Sequence, residues 1–158
     1  MAIPIAKAMG AEVIAVTGTE SKQAVARELG ADHTIYASGA DVGQKLLEMG
    51  GADVVLPTTV NPETINGALS GLLPHGTLLL VALTTDPLPI IPVPILFAEQ
   101  RIIGSAIGSR PDYRELMKLA VQNNIYPMTE TYALDDVNAV HERLRAGDVR
   151  YRAVLNMH

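Results

Sequence analysis

Thr17, Gly18, Thr19 and Lys22 lie together directly after the apolar run "EVIAVT" (Glu12–Thr17). Two hydroxyls and an ammonium group at the end of a strand are a donor set suited to a phosphate ester, since each can donate hydrogen bonds to anionic oxygen. Glu20, between them, works against such a ligand. The plainer reading makes Thr19 a helix cap and Lys22 a solvated first-turn residue. Thr58 and Thr59 follow another apolar run that ends at Pro57, and Arg152 stands in "YRAVL" beside Arg150. The remaining reactive inventory is thin. The chain has no Cys, hence no thiolate ligand and no disulfide framework. Its four histidines (His33, His75, His141, His158) fall on different elements without a metal-ligand spacing. No Ser–His–acid arrangement stands out. The residues point to binding, with no catalytic residue and no metal ligand assigned.

The elements that must position these groups alternate between strand and helix. Ala2–Met9 reads as a helix stopped by Gly10, and Pro4 belongs in its first turn because proline lacks the N–H of an interior position. Glu12–Thr17 reads as a buried strand, and "TESKQAVARELG" as a helix capped by Thr19 and closed by Gly30. His33–Tyr36 is a strand, Asp41–Met49 a helix closed by Gly50, and Asp53–Pro57 a strand. Asn61 followed by Pro62 starts a helix that runs to about Leu73, and "GTLLLVAL" (Gly76–Leu83) is a strand. "TTDPLPIIPVPILF" carries Pro87, Pro89, Pro92 and Pro94, which predicts an extended segment or an edge strand. Arg101–Ser109 reads as a strand. Ser109 with Asp112 starts a helix to about Gln122 by reciprocal capping. "MTETYAL", a helix from Asp135 to Ala146 and "RAVLNM" complete the pattern. Short alternating elements of this kind call for right-handed crossovers and an α/β fold: a doubly wound, mostly parallel sheet with helices on both faces.

Bulk properties narrow the function classes. The 158 residues are 48% hydrophobic and 18% charged, which suits a well-buried globular domain. With one Phe and no Trp, the core is expected from Ala, Val, Ile and Leu, as for helices on a parallel sheet. A net charge of −5 gives no electrostatic footing for nucleic acid or an anionic membrane. No apolar run has the length of a membrane span, and no signal peptide is evident. A cytoplasmic location is expected.

Open parallel sheets bind ligands at the carboxyl ends of their strands, where Thr17, Thr58 and Thr59 are placed. A dinucleotide fold that prefers NAD puts Asp or Glu at the end of its second strand for the ribose hydroxyls. Thr17 there would not repel the 2′-phosphate of NADP, and Lys22 offers it a countercharge. Such folds also need a first strand and a Gly-x-Gly-x-x-Gly turn before the first helix. "EMGGAD" and "GSAIGS" have paired glycines, but neither occupies that place.

"IAKAMGAEVIAVTGTESKQAVARELGAD", "GADVVLPTTVNPETINGALSGLLPHGTLLLVAL", "RIIGSAIGSRPDYRELMKLA" and "YALDDVNAVHERLRAGDVRYRAVLNM" together resemble the cofactor domain and tail of zinc-type, medium-chain alcohol dehydrogenases. The resemblance covers essentially the whole chain. It implies a Rossmann domain over 1–126, lacking the first strand and glycine turn, and a strand–helix–strand tail over 127–158 that packs on the catalytic domain. The family's catalytic domain and its Cys and His zinc ligands have no counterpart here, so a C-terminal part of such an enzyme is expected. By resemblance, Thr17, Gly18, Thr19 and Lys22 surround the NADP 2′-phosphate, although family members with that preference carry a hydroxyl where Gly18 stands. Thr58 and Thr59 border the adenosine. Backbone groups of Val81, Ala82 and Leu83, and of Ser105, Ala106 and Ile107, hold the nicotinamide carboxamide, and Arg152 reaches the pyrophosphate. The implied function is the cofactor-binding portion of an NADP(H)-dependent alcohol or aldehyde oxidoreductase, with zinc supplied only in the full-length enzyme and this chain inactive alone. The alternatives are a self-associating remnant or a fragment of a non-zinc quinone or enoyl reductase. A homodimer or higher oligomer through residues 84–97 is expected from the apolar, proline-interrupted segment there.

Overall fold

The computed structural model describes residues 1–36, 41–82 and 85–157. They form two compact units, Ala2–Glu115 and Leu116–His158, the latter also taking in Met1.

The first unit opens with α1 (Ala2–Ala8), ended by Gly10 at φ 87°. β1 (Ile14–Thr17), α2 (Ser21–Glu28) and β2 (His33–Tyr36) follow, and β1 pairs parallel with β2. Asp32 ties three of these pieces together. Its carboxylate accepts from Lys7 Nζ at 2.8 Å and from the Val13 N–H at 2.7 Å, and these two contacts hold it below the usual carboxylate range. Next come α3 (Asp41–Glu48), β3 (Ala52–Val55), α4 (Pro62–Leu69), β4 (Leu72–Leu80), α5 (Pro92–Phe97) and β5 (Arg101–Gly104). These strands make a second parallel sheet in the order β3-β4-β5. The α/β fold with parallel, Rossmann-like strands therefore holds, but as two sheets and not one continuous sheet.

The division has a simple topological description. A dinucleotide fold orders its strands 3-2-1-4-5-6. The observed β2-β1 and β3-β4-β5 reproduce its two flanks, with no strand between them among the described residues. Val16 and Val54, on the strands that end the two sheets, are 38% and 60% exposed. Both sheets nonetheless contribute to one core. Ile35, Val42, Leu46 and Ala68 are buried together, with Ile14 of β1 and Val55 of β3 packed against them. Val55 also reaches the second cluster of Ile65, Leu69, Leu72 and Leu78. Each fully buried Ile, Val or Leu among them contributes about 1.5–3 kcal/mol. α3 approaches α4 and the start of β4 so closely that a Cβ at Gly43 would lie 1.9 Å from Ser70 Oγ and 2.3 Å from the Gly67 carbonyl. A glycine within a helix is unfavourable by itself, and this contact is what requires it.

The second unit contains the end of α6 (Arg110–Gln122), β6 (Glu130–Ala133), a 3-10 turn (Leu134–Asp136), α7 (Val137–Ala146) and β7 (Ala153–Asn156), with β6 and β7 parallel. Gly147 at φ 75° closes α7.

Several elements differ from their expected form. α2 begins at Ser21, and Thr19 does not cap it: the preceding residue, Glu20, is already helical and no side chain caps this end. α4 stops at Leu69 instead of continuing to Leu73, because Leu72–Pro74 already belong to β4. β5 ends at Gly104, short of Ser109. The proline-rich stretch contains a helix, α5, where an extended segment or an edge strand was expected. Pro92 occupies its first turn, where the missing N–H costs nothing. Leu83 and Thr84, and with them the end expected for the strand that began at Gly76, lie outside the described residues.

Candidate cofactor site

The expected ligand-binding residues sit at strand ends. Thr17 is the last residue of β1, Gly18 and Thr19 form the turn, and Lys22 is the second residue of α2. The Thr17 hydroxyl donates to the Thr19 carbonyl at 3.0 Å, and the Lys22 N–H donates to the same carbonyl at 3.3 Å. The turn is thereby drawn around one acceptor. The single Thr17 proton is committed to the backbone, so this side chain acts mainly by what it lacks, a negative charge. Lys22 is exposed, and its ammonium has no hydrogen bond or ion pair among the described residues. Ser21, also exposed, adds a hydroxyl at the first residue of α2.

Thr58 and Thr59 follow β3. Thr59 Oγ1 accepts from the Asn61 N–H at 3.1 Å, and Asn61 Oδ1 accepts from Thr64 N–H at 3.1 Å as the cap of α4. Thr59 is therefore part of the helix entry, while Thr58 is exposed. Val81 and Ala82 follow β4; Ser105, Ala106 and Ile107 follow β5. The Ser105 N–H donates to the Leu80 carbonyl at 2.9 Å, extending the β4–β5 ladder by one step and holding these two stretches side by side. Because β3, β4 and β5 are parallel, the three groups share the carboxyl edge of one sheet. Ile107 is 93% exposed. Leu83 lies outside the described residues. Arg152 belongs to the second unit, one residue before β7, and is exposed.

In that unit Glu130 gathers several partners. Tyr132 donates its hydroxyl to one carboxylate oxygen, the Arg150 N–H donates to the other at 2.7 Å, and Arg143 Nη2 stands 3.4 Å away. The Tyr132 hydroxyl first, then the Arg150 amide and Arg143, hold this carboxyl below its ordinary range. The same hydrogen bond pushes the Tyr132 phenol up. This cluster was not foreseen, since its members are far apart in sequence and individually ordinary.

No group of three or more His, Asp or Glu side chains is placed to hold a metal ion among the described residues, and the chain has no Cys. No described helix is long and apolar enough to cross a membrane.

Parallel strands with ligand-type residues at their carboxyl ends define a dinucleotide-fold protein, and comparison gives the family. Residues 1–122 match the family model "Zinc-binding dehydrogenase". Alcohol dehydrogenase 9 of Catharanthus roseus is 34% identical over 158 residues, a match covering 99% of this chain and 43% of that protein. The alcohol dehydrogenase of the hyperthermophilic archaeon Aeropyrum pernix superposes with a TM-score of 0.86 at 30% identity, covering 98% of this chain and 45% of the other. The acetophenone reductase of Geotrichum candidum, solved in complex with NAD, superposes with a TM-score of 0.75 at 29% identity, covering 98% and 44%. This chain belongs to the zinc-binding dehydrogenase family and carries its Rossmann-like, cofactor-binding portion. It spans less than half the length of these relatives.

Proposed function

We propose that this chain is the NADP(H)-binding portion of an alcohol or aldehyde oxidoreductase and does not catalyse hydride transfer by itself. The observation that carries the reading is the β1–α2 turn, where a threonine takes the place of a carboxylate and Lys22 follows with no partner for its ammonium among the described residues. The missing carboxylate and the Lys22 ammonium fit a 2′-phosphate better than a free ribose diol. Bound nicotinamide would supply the hydride chemistry. Thr17, Gly18, Thr19 and Lys22 would bind the 2′-phosphate, Thr58 and Thr59 the adenosine, and Arg152 the pyrophosphate. The strand ends at Val81–Leu83 and Ser105–Ile107 would orient the carboxamide. Among the described residues no side-chain group fits zinc, so no step of the reaction is assigned to a metal in this chain. Residues 127–158 would meet the rest of the enzyme. NADP titrated into the labelled chain to about 20 mM should shift the amides of Thr17–Lys22, Thr58, Val81 and Ser105–Ile107, as weak binding with a millimolar constant. Shifts confined to other surfaces would overturn the assignment.

A second reading, self-association, is favoured by one observation. Ile91, Val93, Leu96 and Phe97, in and just before α5, are 67%, 58%, 71% and 84% exposed. An apolar patch of this kind marks an interaction surface, and a homodimer or higher oligomer through residues 84–97 would cover it. Light scattering at micromolar concentration should report at least a dimer for the wild type and a monomer for Leu96→Glu/Phe97→Glu; a monomeric wild type contradicts it.

A further inference from the structure

The turn that carries Arg152 is strained, and a residue from another strand holds it. The Tyr151 N–H donates to the Val149 carbonyl at 3.1 Å and the Arg152 N–H to the Arg150 carbonyl at 3.1 Å, two successive three-residue turns. Tyr151 has φ 71°, a conformation that a bulky side chain adopts only under constraint. Glycine would be the relaxed choice there. Strain persists only where the surroundings over-determine it, and here they do. Glu130 takes the Arg150 N–H on one oxygen, and its own N–H donates to the Arg152 carbonyl at 2.8 Å. Arg143 Nη2 donates to the Asp148 carbonyl at 3.1 Å, gripping the other end of the same turn. Its guanidinium also lies 5.4 Å from the centre of the Tyr132 ring.

The charges are arranged to a purpose as well. The Glu130 oxygens are taken by Tyr132, Arg143 and the Arg150 amide. Arg152 is exposed and has no side-chain partner among the described residues. Its guanidinium thus remains open for an external anion.

We propose that Glu130, with Arg143, is a positioning residue that fixes the 148–152 turn and keeps the Arg152 guanidinium available for a phosphate of the cofactor. This rests on the assignment of Arg152 as a phosphate contact. Loss of Glu130 frees the turn, lets Tyr151 relax out of the left-handed region, and spreads Arg152 over many orientations. The phosphate contact then weakens although Arg152 itself is unchanged.

The test is a double-mutant cycle in the full chain, read by NADP titration and accompanied by thermal unfolding of each variant. Arg152→Ala should weaken binding about tenfold and Glu130→Ala about fivefold, while the double variant should be no weaker than Arg152→Ala, because coupled residues are not additive. A purely structural role would lower the melting temperature without that non-additivity. If Glu130→Ala does not fold, Glu130→Gln, which keeps one acceptor for the Arg150 amide, runs the same cycle with a smaller loss. Multiplying losses in the double variant, or a Glu130 variant with wild-type affinity, would overturn the inference while leaving Arg152 as a phosphate contact. An Arg152→Ala variant with wild-type affinity, or no binding by the wild type, would remove that contact and the inference with it.

Discussion

Appending an apolar strand of about six residues and a Gly-x-Gly-x-x-Gly turn before Ala2 is expected to bring NADP binding from the millimolar to the micromolar range, a gain of about 4 kcal/mol. Among the described residues β1 and β3 each have one unpaired parallel edge, and the two sheets already share a core through Ile14 and Val55. A strand fitting both edges would satisfy two ladders at once. It would also cover the exposed parts of Val16 and Val54, worth about 1.5–3 kcal/mol by burial and roughly 3–12 °C in melting temperature for a chain of this length. The glycine turn adds backbone N–H donors for the pyrophosphate, and two or three charge-assisted bonds at about 1.5–3 kcal/mol each supply the required affinity. Calorimetry on the extended and original chains, with thermal scans of both, reads the two effects separately. An extended chain that melts higher yet binds NADP no better would reject the turn's part in the site. Micromolar NADP binding by the original chain would do so from the other side.

The second large effect is cofactor preference, to be measured in the extended chain. NADP should be favoured over NAD by at least about tenfold, since one charge-assisted contact from Lys22 is worth about 1.5–3 kcal/mol and Glu20 subtracts part of it. Lys22→Ala should erase most of the difference by weakening NADP alone. Thr17→Asp should reverse it, because a carboxylate at the end of β1 repels the 2′-phosphate and accepts from a ribose diol. The Thr17 hydroxyl already donates to the Thr19 carbonyl, so Thr17→Val should change the ratio far less than Thr17→Asp. Binding constants for both cofactors across these four proteins decide the matter. A wild type that favours NAD, or a Thr17→Val as damaging as Thr17→Asp, contradicts the assignment.

The parts of the fold legible in the sequence are those governed by nearest neighbours. Asn61 with Pro62 caps α4 as its chemistry demands. Ser109 and Asp112 cap α6 reciprocally, with the Ser109 N–H donating to Asp112 at 2.7 Å. Gly10, Gly30 and Gly50 stop helices at positive φ. Errors arose where tertiary context chooses between local options. Leu72 and Leu73 extend a helical apolar run as easily as they begin a strand, and the pairing of Ala52 with Leu72 settles it. Prolines at 92 and 94 forbid a helix interior but suit a first turn, and nothing nearby in sequence says which applies. For the site, strand ends were legible because fold class alone locates them. The Glu130 cluster was not, because its members meet only once β6, α7 and β7 have folded together.

The divided sheet also sets how the first unit should breathe. β4 is paired on both sides, and its Leu78 is completely buried. Its amides should exchange with solvent deuterium only on opening of the whole β3-β4-β5 unit. The β1–β2 ribbon has four residues in each strand and one ladder. Its ties to α1 and α2 run through Asp32 and Thr34, while the cluster around Val42 and Leu46 and the Lys45 ammonium on the Tyr36 carbonyl link it to α3 and α4. It should therefore open together with α1 and α2 and apart from β3-β4-β5. Exchange at Ala15 and Val16 would then run orders of magnitude faster than at Leu78, which makes the turn bearing Thr17 and Lys22 the most labile part of the binding edge.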